Sequence, residues 1–381
     1  MTTHKKYILQ LCHGYAMPFL DVARQYASLF VDTEYHVVTV YLTGKADQEV
    51  SQQTASDTVL FLENTSKELT GLKRKQIKQL RHICQQYNFE FAIAHRYKAI
   101  FILQYIKDLP VIGVHHAFNV YQRFMRRYFI DHHQKNLCLL GVSNAIRDDI
   151  RKQLIHFPQQ QIQTLYNRVN IEQISSLQLE ASAARDFLKL DKDSYIFSNV
   201  GRLHPDKDQK TLIYAFAKVT EQLPNAKLII IGKGRLEQDL KQQVQTLGLE
   251  NQVLFLGVIP NAVNYFRAFD SFVLSSDHEP FGMVLLEAII AQLPIIATNA
   301  GGAKEIIQDP QYRFNIGDSD KLAELMLMTY RLDNAQKIKI NKDNMHWLEQ
   351  NFTDKAVTDN FWQLPFMQQF PRLSTKPQKD V

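Results

Sequence analysis

Short, densely apolar runs alternate with stretches whose apolar residues recur at helical spacing, and this alternation holds along most of the chain. Runs of this kind, too short for helices and rich in β-branched residues, predict strands at Tyr7–Cys12, Tyr35–Tyr41, Val59–Leu62, Phe91–Ala94, Val111–Val114 and Leu137–Val142. Between them the pattern predicts helices, among them Asp21–Phe30 and Lys73–Gln86, and one over IRDDIRKQL with Ser143 as its cap. The second half repeats the logic. Strands are predicted at Tyr195–Val200, Lys227–Ile231, Val253–Leu256, Ser271–Leu274 and Ile295–Thr298, with helices at Lys210–Gln222, Arg235–Leu247, Ala262–Ala268, Phe281–Ala291 and Asp320–Leu332. Such alternation predicts an α/β protein with parallel sheets in two domains, 1–168 and 169–354, joined near YNRVNIEQI. The tail 372–381 is polar and expected to fray.

Composition narrows the classes. A chain of 381 residues fits two domains better than one, and 45% apolar residues supply both cores. Three cysteines, Cys12, Cys84 and Cys138, with no close pair, argue against a disulfide framework or a zinc site. No stretch is long and apolar enough for a membrane helix, and the N-terminal run is too short for a signal peptide, so a soluble cytoplasmic protein is expected. The net charge of +5 is uneven: residues 1–165 hold 20 Lys+Arg against 13 Asp+Glu, whereas the remainder is slightly acidic. A basic first half suits an anionic partner such as a phosphate or acidic lipid. No nucleic-acid motif accompanies it.

In doubly wound sheets the ligand meets the loops that follow the strands. After the strand at Tyr195–Val200 the segment GRLHPDK places Gly201, Arg202 and Lys207 in one loop, which suits a diphosphate but equally fits a solvated basic loop. IIIGKG brings Gly232 and Gly234 to a helix start; by itself this reads more readily as a tight turn than as a phosphate site. SDHEPFGMVLLEA poses a sharper question, because Glu287 stands among Leu285, Leu286, Ala288, Ile289 and Ile290. An unpaired carboxylate in an apolar setting costs several kcal/mol or takes a proton. Either a basic neighbour or a ligand with hydroxyl donors, such as a ribose, would satisfy it. Glu279, ahead of the helix, is the second acid, and Gly301-Gly302 follow the next strand.

GRLHPDK, IIIGKG, HEPFGMVLLEA and NAGGAKEII, in that order and spacing, resemble family 4 of the retaining nucleotide-sugar glycosyltransferases. Glu279 and Glu287 match that family's E-x7-E signature. The resemblance covers about residues 195–310 closely and the first half more loosely, through the Gly14 loop, VIGVHH and LLGVSNAIRDDI. It implies a GT-B fold of two Rossmann-like domains with an interdomain cleft, and a last helix, about 355–371, that returns to the first domain. It implies a nucleotide-sugar co-substrate, no cofactor and no metal. It assigns the donor to Gly14, Gly201, Arg202, Lys207, Gly232, Gly234, Glu279, Phe281, Gly282, Met283, Val284 and Glu287. Catalysis would fall to Glu279, Arg202, Lys207 and His116, with His115 competing for the histidine's role. Asp208 and Gln292 stand where the family commonly has glycine.

The first half carries a signal of its own. FNVYQRFMRRYFI interleaves aromatics with Arg123, Arg126 and Arg127. The aromatics are expected to pack on the sheet, and the arginines, with His95, Arg96 and His115, to meet an anionic acceptor or membrane surface. By family association, the acceptor would be a lipopolysaccharide core or another surface glycan, handled at the inner membrane face. The competing readings are another GT-B enzyme, an epimerase or phosphorylase, and a non-catalytic sugar- or lipid-binding module.

Overall fold

A computed structural model describes residues 5–372; the polar tail beyond lies outside the described residues. The chain forms two compact units, one running to Asn167 and resuming at Val357, the other from Arg168 to Ala356.

The first unit is built on a sheet of seven strands: β1 (Lys6–Cys12), β2 (Tyr35–Thr43), β3 (Thr58–Asn64), β4 (Phe89–His95), β5 (Val111–His115), β6 (Leu137–Gly141) and β7 (Ile162–Thr164). Their order is β3-β2-β1-β4-β5-β6-β7, with every pairing parallel. The second unit repeats the plan with β8 (Ile196–Val200), β9 (Lys227–Ile231), β10 (Val253–Gly257), β11 (Ser271–Leu274), β12 (Ile295–Thr298) and β13 (Arg313–Phe314). Its order is β10-β9-β8-β11-β12-β13, again wholly parallel. In each sheet the direction of winding reverses once, beside β1 and β4 in the first and beside β8 and β11 in the second. Loops leaving neighbouring strands at such a point diverge and leave room for a ligand.

Helices cover both sheets because their apolar residues fall on one face. Arg74–Gln86 buries Ile77, Leu80 and Ile83, and Gln209–Thr220 buries Leu212, Ile213, Phe216 and Val219. The Asn144–Gln153 helix starts as the sequence predicts: the Ser143 hydroxyl accepts from the Ile146 amide at 3.1 Å. The segment Ala262–Ala268 is a 3₁₀ rather than an α-helix. From Val357 to Arg372 the chain packs into the first unit. Trp362 Nε1 donates to the Leu29 carbonyl at 3.3 Å, and Phe361 and Phe370 lie 5.5 and 4.6 Å from Phe30 and Phe91, centroid to centroid.

The two departures from glycine share a cause. Asp208 and Gln292 both have positive φ, +43° and +61°. Asp208 offsets its strain by capping the next helix, its carboxylate accepting from the Thr211 amide at 3.3 Å. Gln292 ends the helix Met283–Ile290: its amide bonds the Ile289 carbonyl, and Leu293's amide bonds that of Ala288. This is a Schellman ending with a side chain at the left-handed position where glycine is unstrained. Gln292→Gly is therefore expected to stabilise the protein by about 1 kcal/mol, read as a higher urea midpoint at unchanged slope. An unchanged or lower midpoint would refute this account of the turn.

Candidate functional site

The winding reversal of the second unit brings together the loops after β8 and β11. They are sewn to one another at three places. The Asp277 amide donates to the Asp206 carbonyl at 3.1 Å, the Ser275 hydroxyl to the Lys207 carbonyl at 2.8 Å, and Lys207 Nζ to Glu279 Oε2 at 2.7 Å. Glu279 is only 7% exposed, so this ion pair is largely withdrawn from water. The same carboxylate oxygen accepts from the Ser276 hydroxyl at 3.1 Å, and Thr298 Oγ1 holds the Ser276 carbonyl at 2.6 Å. Beneath the first loop, Gln209 Nε2 donates to the Arg202 carbonyl at 3.1 Å. Ser275, Ser276, Thr298 and Gln209 were not legible as site residues; the Ser-Ser step ahead of Glu279 was the available signal.

Of the two predicted cations, Lys207 is thus fixed and Arg202 is not. The Arg202 side chain is 72% exposed, 3.4 Å from Asp206. Asp206 also meets His204 Nδ1. Gly201 connects the loop to β9 through its amide, which donates to the Ile231 carbonyl at 2.9 Å. Gly232 has φ +141°, and a Cβ there would stand 1.9 Å from the Gly201 carbonyl oxygen. Both constraints demand glycine, because the loops after β8 and β9 touch main chain to main chain. Gly234 abuts the Leu203 main chain in the same way. The helix after IIIGKG begins only at Glu237, so the two glycines lie in the loop ahead of it.

Gly282, at φ +110°, turns the chain into the helix Met283–Ile290. Phe281 is buried against Phe352, so what its position offers a ligand is main chain. In the helix Leu285, Leu286, Ala288, Ile289 and Ile290 are buried, whereas Met283, Val284 and Glu287 are half-buried. Those three, at i, i+1 and i+4, lie on one stripe. The acid among aliphatic residues therefore sits on the single less buried stripe of an otherwise buried helix, and the Glu287 carbonyl accepts from Gln178 Nε2 at 3.4 Å.

In the first unit the corresponding strand ends carry histidines. Gly14, in the loop after β1, lies against Thr43, whose Oγ1 donates to the His13 carbonyl at 2.7 Å. His95 ends β4 and His115 ends β5; both are buried, so neither is exposed as expected of an acceptor contact. His115 Nε2 meets the Tyr121 hydroxyl at 2.9 Å. His116 is half-buried. Burial pushes His95 well below the usual histidine range, lowers His115 to about 3 and, with the nearby Arg96 charge, lowers His116 to about 4. All three rings are neutral at pH 7. Arg96 stacks over Phe19, and Arg126 over Tyr97 while donating to the Val120 carbonyl. Arg127 donates to the carbonyls of Tyr121 and Gln122, and Arg123 is exposed. The large apolar side chains of this segment divide. Tyr121 is buried, but Phe124, Met125 and Tyr128 are 66, 70 and 51% exposed, so the expected packing on the sheet fails for these three. Their helix, Phe124–Asp131, buries only Ile130. Among the described residues no group of three or more His, Cys, Asp or Glu is placed to hold a metal ion, and no helix is long and apolar enough to cross a membrane.

Comparison with known proteins agrees with this layout. Residues 180–342 match the family model described as "Glycosyl transferases group 1". An uncharacterized glycosyltransferase of Methanocaldococcus jannaschii is 36% identical over 147 residues, 38% of this chain and 35% of that protein. The lipopolysaccharide core biosynthesis glycosyltransferase LpsE of Rhizobium meliloti is 30% identical over 185 residues, 48% of this chain and 53% of that one. The chain thus spans about half or less of the length of the curated relatives it matches. The likeness in fold is wider: the Anabaena protein HepE, crystallised with UDP, superposes with a TM-score of 0.77 at 20% identity over 94% of this chain and 98% of its own. The fold is α/β of the GT-B type, and the segment carrying the Lys207–Glu279 pair is homologous to glycosyltransferases.

The neutral histidines have a consequence for stability. An unfolded histidine takes a proton near pH 6.5, whereas His95, His115 and His116 refuse it until much lower pH. As pH falls through about 6.5 the unfolded chain gains protons that the folded chain does not, so stability declines by about 1.4 kcal/mol per pH unit for each such histidine. For His116 the loss ends near pH 4, where the folded ring itself titrates. Urea unfolding at pH 7, 6 and 5 is expected to show this decline; equal stability at pH 7 and 5 would contradict the neutral assignment.

Proposed function

We propose that the protein is a retaining glycosyltransferase that moves a sugar from a nucleotide-sugar donor to a glycan or lipid-linked acceptor. The observation that carries this reading is the Lys207–Glu279 pair, held where the winding of the second sheet reverses. In the proposed complex Lys207 and the exposed Arg202 receive the donor diphosphate. Glu279 and the main chain at Phe281 and Gly282 hold the transferred sugar. Glu287, on the half-buried stripe with Met283 and Val284, accepts from the ribose hydroxyls. The acceptor hydroxyl attacks the anomeric carbon on the face the diphosphate leaves. The bond to the diphosphate breaks as the new glycosidic bond forms, and the acceptor's proton passes to the departing phosphate. Lys207 and Arg202 stabilise the charge growing on that phosphate, the electrostatic contribution expected to weigh most in such a step. One fixed cation, Lys207, and one exposed cation, Arg202, take the part a divalent metal plays elsewhere, and the proposal is metal-independent transfer. His116 is proposed as a further catalytic residue.

The acceptor is proposed to be anionic and lipid-linked, as in lipopolysaccharide core or another surface glycan. The exposed Phe124, Met125 and Tyr128 beside Arg123 support contact with an acidic lipid surface, and the lipopolysaccharide relative supports the class of acceptor.

A thermal-shift screen across nucleotide sugars tests the donor site. One donor is expected to raise the melting temperature of the native protein clearly and of Glu287→Ala much less. An equal shift in both would remove Glu287 from the ribose role, and the absence of any shift would remove the donor. With the donor found, the product's anomeric proton coupling must match the donor's configuration, and turnover must persist in EDTA.

A further inference from the structure

Gln10 is a polar residue in the middle of the apolar strand β1, fully buried. Its amide nitrogen donates to the Ala23 carbonyl at 3.1 Å and to Thr39 Oγ1 at 2.9 Å. A main-chain carbonyl only accepts, so the first bond fixes which end of the amide is nitrogen. The amide oxygen then faces His95 Nε2 at 3.3 Å. That oxygen also only accepts, so Nε2 of His95 carries the proton. A neutral imidazole has one N–H, so Nδ1 of His95 is a bare lone pair. It faces His116 Nε2 at 3.5 Å. The two rings are 28° from coplanar with centroids 5.7 Å apart, a separation that exceeds the nitrogen distance by about two ring radii. The nitrogens therefore point at each other in the ring planes. His116 Nε2 is the donor, and its Nδ1 is left as a lone pair.

The surroundings keep this order. Thr39 Oγ1 is engaged a second time by Ser56 Oγ at 2.7 Å, and the Tyr26 ring stands edge-on to His95, 4.8 Å between centroids. Burial holds both rings neutral, aided at His116 by the nearby Arg96 and at His95 by His116, so the one-proton count applies at neutral pH. Of Gln10, His95 and His116, only His116 is partly open to solvent. Which imidazole nitrogen carries the proton is set by the bond the other makes.

We propose that Gln10 is a positioning residue that acts through His95 to hold His116 as its Nε2–H tautomer, so that His116 Nδ1 accepts a hydrogen bond from a substrate hydroxyl. Its catalytic consequence rests on the glycosyl-transfer reading above, with a sugar hydroxyl as the donor; the tautomer itself does not.

Two arms separate these claims. In the ligand-free protein at pH 7, long-range nitrogen–proton NMR on histidine labelled with nitrogen-15 distinguishes the tautomers, with His116→Gln assigning the signals. The wild type is expected to show His116 with a protonated Nε2 and a bare Nδ1. Gln10→Met, which keeps the volume and removes the acceptor oxygen, is expected to give a tautomer mixture, and His95→Asn is the second break in the relay. A protonated Nδ1 in the wild type overturns the proposal without any variant, and so does an unchanged His116 in a folded Gln10→Met. The second arm measures turnover of the donor found by thermal shift. There Gln10→Met is expected to lower kcat about tenfold, the worth of one hydrogen bond, with nucleotide affinity unchanged. A released tautomer with unchanged kcat would overturn the catalytic claim while leaving the relay. A wild-type protein with no nucleotide-sugar turnover would overturn the glycosyl-transfer reading and leave the NMR result standing.

Discussion

The ion pair between Lys207 and Glu279 is the contact around which the second unit is arranged. Taking both charges out of water costs several kcal/mol per ion, and their attraction repays this only with good geometry and further hydrogen bonds. The 2.7 Å contact and the Ser276 hydroxyl supply those conditions. A well-packed apolar pair would serve stability as well or better. Two charges are worth keeping here if something else uses them. In the proposed reaction they exchange partners, the lysine for a diphosphate and the acid for sugar hydroxyls.

That contact depends on the sheet beneath it. Because the strand order reverses between β8 and β11, the loops that follow these strands are adjacent and can be tied together through Ser275, Asp277 and Lys207. Gly232 lets the loop after β9 close against Gly201 from the other side. The first unit uses the same topology differently. Its reversal places Gln10 of β1 beside His95 of β4, and the product is a row of neutral hydrogen-bonding groups. One reversal holds an ion pair; the other holds a proton pattern.

Much of this was legible in the residues. Central strands such as KLIII are buried on both faces and read as continuous apolar runs, and Ser143 announced its helix. The misses have physical reasons. β7 and β13, at the sheet edges, have three residues and two, too few to establish a pattern. The helix Asn334–Asn351 buries only Leu348 and carries almost no apolar stripe. At the site, the chemistry-bearing residues Lys207, Glu279 and Glu287 stood out by type and spacing. Their supports, Ser275, Ser276 and Gln209, did not, because a hydroxyl or amide gains meaning only from the neighbour that folding brings to it. Gln10, a polar residue in an apolar strand, was not singled out, because its partners lie on three other elements.

The claim that the buried pair is kept for a ligand is tested most directly by replacing both charges together. Lys207→Met/Glu279→Leu leaves no unpaired ion, so the account predicts a folded protein with near-native melting temperature. In titration calorimetry against UDP, GDP and ADP, it predicts that whichever nucleotide the native protein binds is bound at least tenfold more weakly by the double variant, a loss of about 1.4 kcal/mol or more. Undiminished binding by a folded double variant would contradict it.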